Sequence, residues 1–282
     1  MNTILKNILS KSIGAYINLL RYLDPIKATH LAYQFFSEPR DGKLLEQNLP
    51  SLLLAAEREM MVLENQRFPV YTWQGNEKTI LLVHGWESNS FRWEPLFPYL
   101  QKTGCTILAL DAPAHGLADG KEFSVPTYAA CIHEVVQKYK PQIMIGHSIG
   151  GSACLYFQNR YTSLSLEKMI LLGAPADLSI LLDNYAKLLG LNSKVIQLLD
   201  DYFLARFNTN SAAFVGQRLA ETIAISGIIS HDEEDTVVLF AESKKIEKGW
   251  KKASFIETKG YGHSMHDPNL YQKIQQFIVQ SY

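Results

Sequence analysis

From Thr79 onward, short apolar runs suited to buried strands alternate with segments of helical periodicity, and this alternation constrains the fold more than any other feature of the chain. The apolar runs cover residues 79–83, 105–110, 142–145, 168–172, 223–229 and 253–257; helical spacing covers 91–102, 127–138, 150–161, 241–247 and 268–279. Strands apolar on both faces need helices to cover them, and crossovers of helical length join parallel strands. The pattern therefore predicts an α/β fold with a mostly parallel, twisted sheet flanked by helices. A chain of 282 residues can bury one large core of this kind.

Upstream of that region, residues 60–63 and 68–73 read as two strands joined by a turn near Asn65-Gln66, and Asp24-Pro25 reads as a cap and first residue of a helix that ends before Pro39. The apolar stretch 4–23 is interrupted by Lys6, Lys11 and Arg21, so it falls short of the roughly 20 uncharged residues of a spanning helix. No small-residue cleavage pattern follows it. It reads as an amphipathic helix packed on the domain, with a peripheral membrane contact as the alternative. The expected organisation is an N-terminal helical extension over 1–58 and a catalytic domain over 59–282. Between the strands 168–172 and 223–229 lies an apolar, helical insertion, about 178–215, too long for an ordinary crossover. Over the carboxyl ends of the strands, such an insertion would be a lid.

A net charge of −1 and the lack of any long Lys/Arg run speak against a nucleic-acid partner. Cys105, Cys131 and Cys154 are odd in number and set in apolar surroundings, which suits reduced core thiols and a cytoplasmic location. No membrane partner is expected, and the substrate is expected to be a small molecule.

The densest chemical signal is Gly146-His147-Ser148-Ile149-Gly150, between an apolar strand and a helical pattern. A serine hydroxyl is a poor nucleophile unless a sharp turn holds it exposed beside a base. The flanking glycines permit the close backbone approaches such a turn needs. Ser148 is the expected nucleophile. Two backbone donors are expected to face the developing oxyanion: the N–H of Ile149, and that of Trp86, which follows the apolar strand at His84-Gly85. Eight histidines compete for the role of base. His263 is favoured because Lys259-Gly260-Tyr261-Gly262 places it on a glycine-rich loop after the last strand; His266 is the competitor. The acid is expected between serine and histidine, at another strand end. Asp232, Glu233, Glu234 and Asp235 crowd one loop, which resembles a metal site until the lack of histidines at ligand spacing is considered. Asp235 is favoured, anchored by the apolar residues that follow; Asp232 is the alternative and Asp177 a distant third. Neither a metal nor an organic cofactor is expected.

His84-Gly85-Trp86, Asp111-Ala112-Pro113-Ala114-His115-Gly116, Gly146-His147-Ser148-Ile149-Gly150 and the pair Asp235 with Gly262-His263 occur in this order. In that order they resemble the motifs of the α/β-hydrolase superfamily, from about Val70 onward. The resemblance implies a triad of Ser148, Asp235 and His263, a structural role for Asp111, and a cap in the insertion. Two departures stand out: glycine is usual where Ala114 stands, and proline is common where Leu239 stands. The implied activity is a serine hydrolase acting on a carboxylic ester or thioester. The alternatives are a non-catalytic ligand-binding relative, or peptidase, lactonase or carbon–carbon hydrolase chemistry on the same triad. Trp86, His147, Tyr185 and Leu188 are the expected substrate-binding residues, with Phe91 and Trp93 near the mouth of the site.

Overall fold

The computed structural model describes residues 3–280, with the side chains of residues 3, 4 and 6 outside that description. The apolar runs become strands: β1 (Glu57–Leu63), β2 (Gln66–Trp73), β3 (Asn76–Val83), β4 (Cys105–Leu110), β5 (Ile143–His147), β6 (Lys168–Leu172), β7 (Ser226–Asp232) and β8 (Ala253–Thr258). They form one sheet in the order β1-β2-β4-β3-β5-β6-β7-β8. β1 and β2 form an antiparallel hairpin, β2 runs antiparallel to β4, and every later pairing is parallel. The hairpin turns at Glu64 and Asn65, both at positive φ, the conformation that matches the twist of a two-residue turn.

The helices are α1 (Thr3–Leu23), α2 (Pro25–Ser37), α3 (Ser51–Leu54), α4 (Phe97–Gln101), α5 (Val125–Tyr139), α6 (Ile149–Tyr161), α7 (Leu178–Leu189), α8 (Ser193–Phe207), α9 (Gly216–Glu221), α10 (Phe240–Gly249) and α11 (Pro268–Val279). The chain divides into two compact units, Met1–Glu38 with Asp177–Val215 and Pro39–Ala176 with Gly216–Tyr282.

The larger unit holds the sheet. Its central strands β5 and β6 bury every residue and β3 buries its second half, residues 80–83, as strands covered on both faces must. Ile80, Leu82, Ile107, Ile145 and Ile170 pack against Trp93, Leu100 and the inner face of α11. Trp93, expected near the mouth of a site, is a core residue at 2% exposure. At the start of β6 the buried Lys168 ammonium donates to the carbonyls of Phe277, Ile278 and Gln280 and so caps the carboxyl end of α11.

The smaller unit is helical. Asp24 caps α2 by accepting from the Lys27 N–H, and Asn192 caps α8 by accepting from the Val195 N–H. Ile17, Leu20, Ala32, Leu182, Leu189 and Leu199 share its core. α1 crosses α7 at Gly14, where a side chain would overlap the Leu189 carbonyl. α1 and α2 thus share a core with the insertion, whereas the sequence pattern assigned residues 1–58 to one extension. The remainder of that stretch, including α3, belongs to the larger unit.

Candidate active site

Four loops at the carboxyl ends of the parallel strands build the site. Ser148 closes β5 and caps α6 with φ 53° and ψ −130°, a region costly for a residue with a side chain. The turn is held because the Ser148 N–H donates to the Leu172 carbonyl at 2.8 Å, while its own carbonyl accepts from Gly151. Gly150 is indispensable to that crossing: a Cβ there would stand 2.3 Å from the His84 carbonyl oxygen and 2.4 Å from that of Val83. Gly85 is equally constrained, with a Cβ falling 2.9 Å from that of Ser148, so the backbone entering Trp86 packs directly on the serine. Ile149 opens α6, where its N–H belongs to the turn without an intrahelical acceptor.

His263 sits in a short 3₁₀ turn after β8, with Gly262 at positive φ. Its Nε2 lies 2.9 Å from Ser148 Oγ, and its Nδ1 lies 2.7 Å from Asp235 Oδ2. The carboxylate accepts, so Nδ1 carries a proton and Nε2 is free to take one from the serine. Asp235 Oδ1 accepts from the Val237 and Val238 N–H groups at 2.8 and 2.9 Å. Burial would raise the Asp235 carboxyl, but hydrogen bonds from His231, His263 and the Val238 N–H outweigh it and hold the group well below the ordinary carboxylate range.

Asp232 faces elsewhere, accepting from the Thr258 hydroxyl at 2.9 Å and the Tyr261 N–H at 3.1 Å to brace the loop that carries His263. Asp177 precedes α7 in the smaller unit. His266 Nδ1 meets the Tyr271 hydroxyl at 2.6 Å. Among the described residues no group of three His, Cys, Asp or Glu side chains is arranged to hold a metal ion, and the acidic loop divides instead into a brace and a histidine partner.

The supporting roles of three side chains had no signal in the sequence. His231, beyond the strand expected over 223–229, is the fully buried penultimate residue of β7; its Nε2 lies 2.8 Å from the Val238 carbonyl and 3.1 Å from Asp235 Oδ2, and its Nδ1 meets the Ser243 hydroxyl. Arg92 donates to the Ser264 carbonyl at 3.0 Å. His147, expected to touch substrate, instead donates from Nε2 to the His263 carbonyl at 2.8 Å; burial pushes its pKa well below the ordinary histidine value. Two donors therefore pin consecutive carbonyls of the His263 turn. A buried donor and a strand-end carbonyl facing it cannot be paired from one sequence.

The other expected substrate residues fare differently. The Trp86 ring is half-buried and meets His115 and Phe123 edge to face. Tyr185 belongs to the core of the smaller unit, its hydroxyl donating to the Ala32 carbonyl at 2.7 Å and its ring against Phe36, so the side chain is committed to packing. Leu188, on the same helix, is half exposed. Asp111, fully buried, accepts from the Ser90 N–H and hydroxyl, the Leu117 N–H and the Tyr71 hydroxyl. Ala114 takes φ 66°, which accounts for the glycine common at that place.

The defining pattern of the alpha/beta hydrolase family matches residues 80–269. A serine hydrolase-like protein of Danio rerio is 24% identical over 183 residues, which are 61% of this chain. The match spans about half, 53%, of that relative's length. Two solved structures share the fold at 15% and 16% identity: the thioesterase domain from the curacin biosynthetic pathway (TM-score 0.59, covering 80% of this chain and 100% of that one) and the meta-cleavage product hydrolase from Pseudomonas fluorescens IP01 (TM-score 0.58, 80% and 97%).

Proposed function

This chain belongs to the alpha/beta hydrolase family, and on that footing we propose that it is a serine hydrolase cleaving a carboxylic ester or thioester through an acyl-enzyme on Ser148. The observation that carries the reading is the continuous relay from Ser148 Oγ through His263 to Asp235, at 2.9 and 2.7 Å. His263 Nε2 takes the hydroxyl proton as Oγ attacks the substrate carbonyl carbon. The carbonyl π pair moves to oxygen, where the N–H groups of Ile149 and Trp86 receive it. Collapse of the tetrahedral intermediate expels the alcohol or thiol, which leaves with the proton from His263. Water repeats the sequence on the acyl-enzyme and frees Ser148. Throughout, Asp235 stays ionised and holds the His263 tautomer that presents Nε2 to the serine.

The same fold serves a thioesterase domain and a meta-cleavage product hydrolase, so the ester or thioester assignment rests on the serine relay and its oxyanion donors. Burial pushes the Cys131 thiol up to about 12, and Cys154 higher still; inert, buried thiols fit a reducing, cytoplasmic setting. The test is covalent labelling by a fluorophosphonate probe together with hydrolysis of p-nitrophenyl and thioester substrates of graded acyl length. Wild type is expected to label and turn over, with Ser148→Ala unlabelled and slower by about 10⁴-fold or more. A folded wild type that neither labels nor hydrolyses would leave a ligand-binding role for the same fold.

A further inference from the structure

α1 is apolar on two sides. Its inner side, with Gly14, Ile17 and Leu20, is buried in the smaller unit. Flanking that buried side, Leu5, Leu9, Tyr16, Leu19 and Leu23, continued by Ile26 at the start of α2, recur at helical spacing and are 51–80% exposed. A continuous exposed apolar stripe of this kind marks a surface that meets something apolar. No helix among the described residues is long and apolar enough to cross a membrane, so insertion across a bilayer is not what α1 offers.

Charge selects among the occupants that remain. The charged residues of α1 are Lys6, Lys11 and Arg21, with no acid among its 21 residues, while the whole chain carries −1. Lys27, in the first turn of α2, is exposed and adds to them, offset by the exposed Asp24 that caps this helix, so the face keeps a net positive charge. The Arg21 guanidinium lies 3.8 Å from the centre of the exposed Tyr22 ring, pairing a cation with an aromatic ring that suits the boundary between apolar and aqueous phases. A second copy docked about a two-fold axis would bring the cations that flank this stripe toward one another. An anionic lipid surface supplies the complementary charge and the apolar layer together.

We propose that α1 and the first turn of α2 form a membrane-docking face that lies in the interface of an anionic bilayer, with Leu19, Leu23 and Ile26 dipping below the headgroups. The proposal revises the expectation of no membrane partner and does not depend on the hydrolase reading. Because Leu19 and Leu23 are exposed and outside the core of the smaller unit, changing them leaves the fold intact.

The test is flotation of the full chain with vesicles of phosphatidylcholine alone and of equal parts phosphatidylcholine and phosphatidylglycerol. Wild type is expected to float with the anionic vesicles, to bind neutral ones far less, and to be released by salt. The double variant Leu19→Glu/Leu23→Glu is expected to bind at least about tenfold more weakly, with circular dichroism and thermal midpoint unchanged. Replacing Lys27 with Gln is expected to weaken binding to anionic vesicles about fivefold at low salt. Negligible binding of wild type, or equal binding of the Leu19→Glu/Leu23→Glu chain, would overturn the proposal. So would a wild-type dimer in light scattering that this double variant converts to monomer without any vesicle binding, since the stripe would then be an interface between copies.

Discussion

Two aspartates three residues apart do different work at this site, and substitution separates them. Asp235→Asn keeps the shape but cannot hold the His263 tautomer, so kcat on a p-nitrophenyl ester is expected to fall about 10³–10⁴-fold with a nearly unchanged melting temperature. Asp232→Asn weakens the brace on Thr258 and Tyr261; stability is expected to drop by about 1–2 kcal/mol while kcat falls far less. Equal loss of kcat in both would show that the two carboxylates act as a unit. Ser148, His263 and Asp235 were legible in the sequence because each lies at a strand end marked by glycine or by a polar-to-apolar switch. His231, Arg92 and His147 were not, since their partners are carbonyls and a carboxylate whose positions depend on the sheet register. Tyr185 was misleading for a related reason: an aromatic residue on an apolar helix reads the same whether it faces a ligand or its own helical core.

At the scale of elements, α6 begins where its backbone grazes the end of β3, and only glycine at position 150 permits the crossing. Gly150→Ala must displace the carbonyls of Val83, the last residue of β3, and of His84 after it, or withdraw the helix. The expected result is a loss of about 3 kcal/mol in denaturant unfolding, accompanied by loss of turnover in whatever fraction stays folded. Wild-type stability in this variant would mean that β3 and α6 can separate freely. Element boundaries followed the sequence where punctuation was strong. β4, β6 and α11 match their apolar runs from end to end, α11 because Asp267-Pro268 marks its start. The helix expected over 91–102 is instead a 3₁₀ turn at Ser90–Trp93 followed by α4, because Pro95 and Pro98 lack the N–H groups a continuous helix requires. β7 is displaced toward its polar end: Ile223 belongs to the turn after α9, and Ser230, His231 and Asp232 continue the strand because all three find partners inside. Alternation of apolar residues cannot reveal a buried polar strand end.

Across the larger unit, buried neutral histidines tie stability to pH. His84 Nε2 accepts from the Ala112 N–H while its Nδ1 faces the Gly85 carbonyl; His115 Nε2 accepts from the Glu87 N–H while its Nδ1 faces the Pro113 carbonyl. A proton added at either Nε2 would oppose an N–H. Burial lowers His84 to about 4 and His115 to about 3, below the 6.5 of an exposed histidine. Between those values the unfolded chain binds more protons than the folded one, so stability is complete above about 6.5 and declines as pH falls toward 4. The expected loss is up to about 1.4 kcal/mol per pH unit for each histidine, measured as a falling guanidinium midpoint between about pH 7 and about pH 5. A constant midpoint over that range would show that the folded loops accommodate the protonated rings. The division into two units follows a logic the sequence pattern hinted at only in part: the insertion is apolar, but nothing in α1 or α2 announces that they supply its core.

The ammonium of Lys168 has a consequence for how the chain is made. Its acceptors are carbonyls more than a hundred positions later, and an ion sealed in the sheet without them costs several kcal/mol. During synthesis β6 is made more than a hundred residues before Phe277, so the Lys168 ammonium has none of these carbonyls to seal it until that stretch exists. His263 emerges in the same late stretch. His263 lies 115 positions after Ser148, so a growing chain carries the serine through that whole stretch before the histidine that faces it exists.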